Sequence, residues 1–207
     1  MLKKGKFIVV EGLEGAGKTT AIDVVKSFLA IHSIDVVTTR EPGGTSVGER
    51  LRDIVKSQEN IDPYTELLLF YAARTQLLKE VVWPALSSGV WVLADRFELS
   101  TFAYQGGGRQ LDLSVIKTLS DLFVNVQPDL TLFLDISPKQ GLERALVRGQ
   151  LDRIEQESLS FFERVYKEYH RQIHARPNTL VIDASKPLSE VQQNIVTILD
   201  RLHHAVA

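Results

Sequence analysis

The residues from Gly12 to Thr19 have the types and spacing of a phosphate-binding loop. They read GLEGAGKT and fit the pattern G-x-x-x-x-G-K-[ST]. Glycines let backbone N–H groups curl around phosphate oxygens, and the N-terminus of the following helix adds partial positive charge. In such a loop Lys18 can bridge the β- and γ-phosphates, and the Thr19 hydroxyl can join the shell of a Mg²⁺ ion. The sequence therefore predicts binding of a nucleoside triphosphate with Mg²⁺.

The loop alone leaves the class of protein open. Kinases, GTPases and ATP-driven machines all use it, and a glycine-rich tight turn is the purely structural alternative. The base-reading motif N-K-x-D of GTPases is absent, and 207 residues are few for a motor. The apolar run before the loop and the helical pattern after it favour nucleotide binding over a bare turn.

Arginines outside the loop could offset the repulsion between two nucleotide anions. Phosphoryl transfer to a phosphate acceptor needs such fixed cations. Arg40 and the pair Asp95-Arg96 each follow a predicted strand, and open α/β sheets bind ligands at the carboxyl ends of their strands. Further candidates are Arg52 and the group Arg144, Arg148 and Arg153 around Gly149. Taken singly, each of these arginines is equally well explained as a solvated surface charge, except Arg96, whose position after a buried strand favours a binding role.

Short apolar, β-branched runs alternate along the chain with longer patterns of helical period. The predicted strands are Phe7–Val10, Asp35–Thr39, Trp91–Ala94, Leu130–Leu134 and Thr179–Ile182. The predicted helices are Lys18–Ile31, Val47–Val55, Pro63–Leu86, Leu113–Val124, Pro138–Val147, Leu159–Ala175 and Leu188–His203, and Gly106–Gly108 is predicted to be a loop. Continuous apolar runs indicate strands that are buried on both faces. The pattern predicts an α/β fold, a five-stranded parallel sheet flanked by helices on both faces.

The composition excludes several classes of protein. Twenty-four Lys and Arg against 26 Asp and Glu give a net charge of −2, so no global basic field indicates a nucleic-acid or membrane-surface partner. Cysteine is absent, which excludes disulfides and thiolate catalysis. The first apolar run, Phe7–Val10, is too short for a signal sequence or a membrane span, and we expect a cytoplasmic protein.

Six motifs, spread from about Gly5 to the last helix, occur together. They are the loop GLEGAGKT, TREPGGT at Thr39–Thr45, FYAAR at Phe70–Arg74, DRF at Asp95–Phe97, STFAYQ at Ser100–Gln105 and RGQLDR at Arg148–Arg153. In this combination the sequence resembles the thymidylate kinases, specifically the bacterial form. The resemblance implies a P-loop nucleoside monophosphate kinase fold as a single domain over residues 1–207. It also implies transfer of the γ-phosphoryl group of ATP to dTMP, giving dTDP and ADP for DNA synthesis.

The resemblance further implies an acceptor site that is chemically reasonable. Phe70 would stack on thymine, and Arg74, one helical turn later, would donate to O4, an acceptor that cytosine lacks. Tyr104 would crowd the 2′ position of the sugar and so favour deoxyribose. The other implied dTMP contacts are Ser100, Thr101 and Gln105 to base and sugar, Arg52 and Arg96 to the phosphate, Glu14 to the 3′-hydroxyl, and Glu41 in the turn before Pro42.

The donor nucleotide is expected on the loop itself. The predicted ATP contacts are Gly12, Leu13, Glu14, Gly15, Ala16, Gly17, Lys18, Thr19 and Thr20. Thr19 and Asp95 are predicted to act on Mg²⁺, directly or through its waters, and Asp135 at the end of another strand is the rival acid. Lys18, Asp95 and Arg96 are predicted to be catalytic.

A mobile lid is expected over residues 144–157. No residue between Gly12 and Lys18 is basic. The cation missing from the loop is therefore expected from Arg148, Arg153 or both, which would swing over the transferring phosphoryl group as arginine fingers supplied in cis. A charged surface helix is the structural alternative.

Two other functions stay open at this point. A deoxynucleoside kinase would phosphorylate a neutral 5′-hydroxyl and would need a carboxylate base with fewer phosphate-binding arginines. A non-catalytic ATP-dependent switch would keep the loop but would have no reason to keep Phe70, Arg74 and Arg96. The expected partners are the small molecules dTMP and ATP, with no nucleic acid and no membrane. The resemblance implies a homodimer through helix faces, to which Leu67–Leu86 could contribute.

Overall fold

The computed structural model, which describes residues 5–57, 60–149 and 152–204, contains a five-stranded parallel sheet. The strands are β1 (Phe7–Gly12), β2 (Val36–Arg40), β3 (Trp91–Asp95), β4 (Leu130–Asp135) and β5 (Thr179–Asp183). Their order across the sheet is β2-β3-β1-β4-β5, and every neighbouring pair is parallel. The α/β fold predicted from the sequence is confirmed.

Helices connect the strands. They are α1 (Lys18–Ile31), α2 (Ser46–Lys56), α3 (Pro63–Leu77), α4 (Trp83–Ser87), α5 (Glu98–Thr101), α6 (Leu113–Phe123), α7 (Pro138–Arg148), α8 (Leu159–Ile173) and α9 (Leu188–His204). Two π-helical segments, Leu78–Val82 and Phe102–Gly108, continue α3 and α5. Within the described ranges, no helix is both long and apolar enough to cross a lipid bilayer.

Both faces of the sheet are covered, as the apolar strands require. Alternate residues of β1 point to opposite faces. Ile8 and Val10 belong to an apolar cluster with Leu29 of α1, whereas Phe7 and Val9 belong to a second cluster with Leu67 of α3. The apolar residues of β1 are therefore buried on both faces of the sheet. The last residue of β1, Gly12, is also the first residue of the phosphate loop.

The helix predicted from Pro63 to Leu86 is continuous but not uniform. Asp62 caps its first turn by accepting hydrogen bonds from the backbone N–H groups of Tyr64 and Thr65, next to Pro63 at the first helical position. The segment Leu78–Val82 is a π-helix that precedes Pro84. Proline has no N–H to donate and its ring crowds the carbonyl four residues earlier, so a wider turn before it keeps the helix going.

The prediction of a loop at Gly106–Gly108 was wrong. These glycines end the π-helical segment Phe102–Gly108, which packs against α8. A Cβ atom on Gly107 would lie 2.8 Å from the backbone oxygen of Arg164, and one on Gly108 would lie 2.5 Å from the ring of Phe161. The glycines therefore permit close helix packing and do not mark a turn.

The order of the strands makes a crevice beside β1. The chain leaves β1 for β2, returns to β3, and then crosses to β4 on the other side of β1. A crevice forms at the carboxyl ends of strands where the order reverses in this way, and ligands of open α/β sheets bind there. The phosphate loop after β1 lies at this point.

Candidate active site

The phosphate loop is built around glycines that a side chain would disrupt. Gly17, with φ of +92°, precedes the first turn of α1 in the left-handed conformation. Gly15 has φ of +71°, and a Cβ atom there would lie 2.0 Å from the backbone oxygen of Gly141 in α7. A Cβ atom on Gly141 would in turn lie 2.6 Å from the backbone oxygen of Glu14. The loop is thus in direct backbone contact with α7.

Lys18 lies across the loop. Its Nζ donates to the backbone oxygens of Leu13 at 2.9 Å and Gly12 at 3.2 Å. Burial, with a smaller contribution from the nearby positive charge of Arg96, lowers the pKa of Lys18 to about 8. A partly buried ammonium beside a second cation is an electrostatically unfavourable arrangement that an anionic ligand would relieve.

Arg96 follows β3 and contacts the loop through Glu14. Its backbone has φ of +69°, a conformation that non-glycine residues rarely adopt, and its N–H donates to the backbone oxygen of Val10. Its guanidinium donates to Glu14 at 2.7 Å and to the hydroxyl of Tyr104 at 3.1 Å, while that hydroxyl donates to Glu14 at 2.5 Å. Strain of this kind, kept by surrounding contacts, is typical of functional sites.

Glu11 supports this arrangement from beneath and was not singled out by the sequence analysis. Its fully buried carboxylate accepts hydrogen bonds from the Ser100 hydroxyl at 2.6 Å and the Tyr169 hydroxyl at 2.9 Å. Both of these hydroxyls lie 3.1 Å from Nη1 of Arg96. A charged residue at the end of an otherwise apolar strand was the available signal, whereas nothing in the sequence pointed to Tyr169.

One face of α3 carries a second group of site residues. Glu66, Phe70 and Arg74 are spaced by four, which puts them on the same side of the helix. Arg74 is buried and donates to Oε2 of Glu41 through Nε at 2.8 Å and Nη2 at 2.6 Å. Burial raises the pKa of Glu41 to about 7, although the charge of Arg74 opposes this. Nη2 of Arg74 also donates to Thr101 at 2.9 Å.

Glu66 binds three donors at once. It accepts from the side-chain amide of Gln105 at 2.8 Å, from Arg109 at 3.1 Å through two nitrogens, and from Arg153. Burial alone would raise the pKa of Glu66, but the hydrogen bonds from Arg109, Arg153 and Gln105 lower it below its ordinary value. The carboxylate is therefore ionised at neutral pH although it is almost inaccessible to solvent.

Several buried polar atoms in this region have no hydrogen-bond partner among the described residues. Nη1 of Arg74 is such a donor, and Oε1 of Glu41 and Oδ1 of Asp95 are such acceptors. Buried polar groups in proteins are nearly always paired. One unpaired donor and two unpaired acceptors around a single cavity indicate that a polar ligand supplies the missing partners.

A cavity of about 550 Å³ connects these groups. Its walls come from the phosphate loop and α1, from β2 and the turn after it, from α2 and α3, and from the segments after β3 and α7. The predicted site residues along it are Glu14, Gly15, Gly17, Lys18, Thr19, Thr20, Glu41, Arg52, Phe70, Arg74, Asp95, Arg96, Ser100, Thr101, Tyr104 and Gln105. The wall also includes Arg40 and Arg144, which the sequence analysis named as candidate cations, together with Lys56 and Phe97.

The remaining predicted residues lie elsewhere. Gly12, Leu13 and Ala16 are buried in the loop and do not reach the cavity wall. Arg153 is also outside the wall, because its guanidinium binds Glu66 and the backbone oxygen of Val55. The side chain of Arg148 lies outside the described part of the chain. Asp135, the rival acid, is 3.2 Å from a ring nitrogen of His170 and does not border the cavity.

The sheet, the phosphate loop beside its central strand and the cavity that this loop shares with several arginines define a P-loop kinase. The family model for thymidylate kinase matches residues 10–195. The chain belongs to the thymidylate kinase family, and it is therefore a nucleoside monophosphate kinase with ATP as phosphoryl donor.

Individual relatives agree with this assignment. The chain is 52% identical over 200 residues to a thymidylate kinase of Legionella pneumophila strain Corby, covering 95% of this chain and 94% of the relative. It is 54% identical over 200 residues to one of Shewanella amazonensis, covering 94% and 96%. The crystal structure of thymidylate kinase from Ehrlichia chaffeensis superposes with a TM-score of 0.79 at 30% identity, covering 95% of this chain and 99% of that one. These matches do not favour a deoxynucleoside kinase.

Proposed function

We propose that the protein transfers the γ-phosphoryl group of ATP to dTMP and releases dTDP and ADP. The observation that carries the proposal is that one cavity is bordered both by Lys18 and Thr19 of the loop and by Phe70, Arg74 and Arg96 from other elements. Donor and acceptor phosphates that meet there would be surrounded by cations. The names of the relatives support thymidylate as the acceptor.

The donor half of the cavity suits a triphosphate. Backbone N–H groups of the loop and the N-terminus of α1 would bind the β- and γ-phosphates, together with Lys18. Thr19 and the unpaired carboxylate oxygen of Asp95 are hard oxygen donors on the same cavity, which fits Mg²⁺. When bound, the metal would neutralise charge on the transferring phosphoryl group.

The acceptor half suits a thymidine nucleotide. The partly exposed ring of Phe70 offers a flat apolar platform. Arg74 borders the same cavity, and its Nη1 has no hydrogen-bond partner among the described residues. Arg96 and Arg52 would bind the acceptor phosphate, while Glu14, Tyr104, Ser100 and Thr101 would surround the sugar and base. Arg52 donates to the backbone oxygen of Pro42, and burial lowers its pKa, an unfavourable situation that a phosphate would correct.

The chemical step needs little more than positioning. The attacking oxygen belongs to a phosphate that is already ionised, so no strong general base is required. Catalysis then consists of aligning the two phosphates in line and neutralising their charge. Lys18 and Arg96 both border the cavity and are suited to that role.

Arg153 is proposed to complete the charge neutralisation. As part of a lid over residues 144–157, Arg153 would leave Glu66 when nucleotide binds and would reach the transferring phosphoryl group. Arg148 is proposed for the same role. Arg144, which borders the cavity and donates to the backbone oxygen of Ala184, adds a further cation near the loop.

A homodimer is proposed from exposed apolar side chains on neighbouring helices. Ile54 of α2, Leu68 of α3, and Leu122 and Phe123 of α6 are exposed. Helix α3 contacts both α2 and α6, so the exposed side chains belong to neighbouring helices. Light scattering should give a mass in solution of twice that of the chain, and Leu68→Asp should lower this mass toward that of the monomer. A monomeric wild type would refute the dimer.

An acceptor panel tests the proposed reaction. With ATP and Mg²⁺, a coupled ADP assay should give rapid turnover with dTMP and almost none with thymidine. Turnover of thymidine in preference to dTMP would identify a deoxynucleoside kinase. ATP hydrolysis without preference among acceptors would refute phosphoryl transfer to a nucleotide.

A further inference from the structure

Gln105 borders the cavity, and a hydrogen bond to Glu66 fixes the orientation of its side-chain amide. Its nitrogen Nε2 donates to Oε1 of Glu66 at 2.8 Å. An ionised carboxylate can only accept hydrogen bonds, so the amide nitrogen must face Glu66. The amide oxygen has no hydrogen-bond partner in the described part of the chain, and it is the atom of Gln105 left for the cavity.

Two contacts join α3 to the segment after β3 at either end of Phe70. Arg74 binds Thr101 at 2.9 Å, and Gln105 binds Glu66 at 2.8 Å. On α3 the two contact residues are each four positions from Phe70, which is about 6 Å along the axis. A flat base on Phe70 would therefore lie between a donor, Nη1 of Arg74, and an acceptor, the Gln105 oxygen.

We propose that Glu66 determines base specificity by locking the Gln105 amide with its oxygen toward the base. The inference rests on the proposed function, since it concerns the same acceptor pocket. A pyrimidine with a carbonyl at C4 and a proton on N3 satisfies both Arg74 and Gln105. Cytosine instead has an amino group at C4 and no proton on N3. Its amino group would face the Arg74 donor, and its N3 would face the oxygen of Gln105, so neither pair could form a hydrogen bond.

Glu66 is a positioning residue, because it acts on the base only through Gln105. Arg109 and Arg153 both donate to its Oε2, and Nε of Arg109 also donates to Oε1, the oxygen that Gln105 binds. While Arg153 remains bound, two guanidinium donors face the Oε2 position and one faces Oε1. In Glu66→Gln the amide oxygen of the new side chain would therefore take the Oε2 position, and its NH₂ group would face Gln105. Gln105 would then flip, because its oxygen can accept from that NH₂ group, and would present its own NH₂ group to the base.

The test compares dTMP with 5-methyl-dCMP, which differs from dTMP only at the C4 and N3 edge. For the wild type, kcat/KM should favour dTMP strongly. In Glu66→Gln this preference should fall by at least about tenfold, with an absolute gain for 5-methyl-dCMP, because a mispaired buried polar group is removed. The ratio of dTMP to dUMP, which differ by the methyl group, should stay unchanged.

Arg109→Met is the matched control. It removes one partner of Glu66 but leaves the carboxylate and its bond to Gln105, so the preference for dTMP over 5-methyl-dCMP should be kept. Equal losses for both acceptors in Glu66→Gln would overturn the proposal, because a structural role alone predicts that outcome.

A second variant decides the matter if Glu66→Gln fails to fold. Gln105→Met keeps the side-chain volume but removes the amide oxygen that accepts from the base. The ratio of kcat/KM for dTMP to kcat/KM for 5-methyl-dCMP should fall by about tenfold. An unchanged preference would overturn the proposal. Failure of the wild type to phosphorylate dTMP would instead refute the proposed function, so the two failures are distinguishable.

Discussion

The hydroxyl of Tyr169 donates a hydrogen bond of 2.9 Å to the carboxylate of Glu11, although 158 positions separate the two residues. The same hydroxyl lies 3.1 Å from Nη1 of Arg96. The contact links α8 to the last residues of β1 and to the arginine proposed to bind the acceptor phosphate.

Tyr169→Phe should therefore impair the acceptor side of the reaction. Loss of a hydrogen bond to a charged group costs about 1.5–3 kcal/mol of the free energy of unfolding. We expect KM for dTMP to rise while KM for ATP stays nearly constant. Tyr166→Phe, on the same helix and with its ring against His170, is the control. Equal changes in both KM values would contradict the role assigned to Tyr169.

Lys18→Ala should abolish turnover without unfolding the protein. Removal of one preorganised donor from a charge-stabilising site costs about 10²–10³-fold in kcat, and Lys18 is expected at the upper end. The exposed residue Lys26 on α1 provides the matched control, since Lys26→Ala removes the same charge away from the cavity. Circular dichroism checks the fold. Turnover that survives Lys18→Ala would show that Lys18 of the phosphate loop is not needed for phosphoryl transfer.

ATP binding should take up a proton in mildly alkaline solution. The pKa of Lys18 is lowered from 10.5 to about 8, so the unfolded chain retains this proton above pH 8 where the folded protein releases it. For this group, stability therefore rises with pH between these two values. An anionic ligand raises the pKa again, so ATP affinity should fall above pH 8, by up to about tenfold per pH unit.

Calorimetry in two buffers of different ionisation enthalpy at about pH 8.5 measures that uptake. Lys18→Arg should lose it, because a guanidinium stays protonated throughout this range. No difference between wild type and Lys18→Arg would show that Lys18 is not the titrating group.

Arg74→Ala should cost both stability and acceptor affinity. Removal of one partner from a buried ion pair destabilises a protein by about 3–5 kcal/mol, because Glu41 would be left buried and unpaired. KM for dTMP should rise more than KM for ATP. The double variant Glu41→Gln/Arg74→Met should recover most of the stability but not the dTMP affinity. Recovery of both would mean that Arg74 has only a structural role.

Arg153→Ala should depress kcat far more than dTMP affinity. Arginine fingers contribute about 10³–10⁵-fold to phosphoryl transfer. Arg171→Ala, an exposed arginine of α8, controls for loss of charge alone. If the affinity for dTMP falls and kcat does not, Arg153 supports the acceptor pocket through its contact with Glu66 and does not act as an arginine finger.

Local sequence patterns were sufficient for most of the fold. The apolar spacing in Lys18–Ile31 predicted α1 with its observed bounds, and the motif GLEGAGKT predicted the loop before it. The glycines after Gln105 could not be assigned from local pattern, because their role is the approach of α8, which is distant in sequence. Nor did any motif indicate that Gln105 and Arg153 both bind Glu66.

Backbone contact between Gly15 and Gly141 has a consequence for tolerance to mutation. Only Gly15 belongs to a recognisable motif, yet the smallest side chain at either position would collide with the opposite main chain. A saturation library selected for growth should therefore be depleted of all alternatives at both codons. Gly141, in an unremarkable amphipathic helix, would then score as one of the least replaceable positions in the gene.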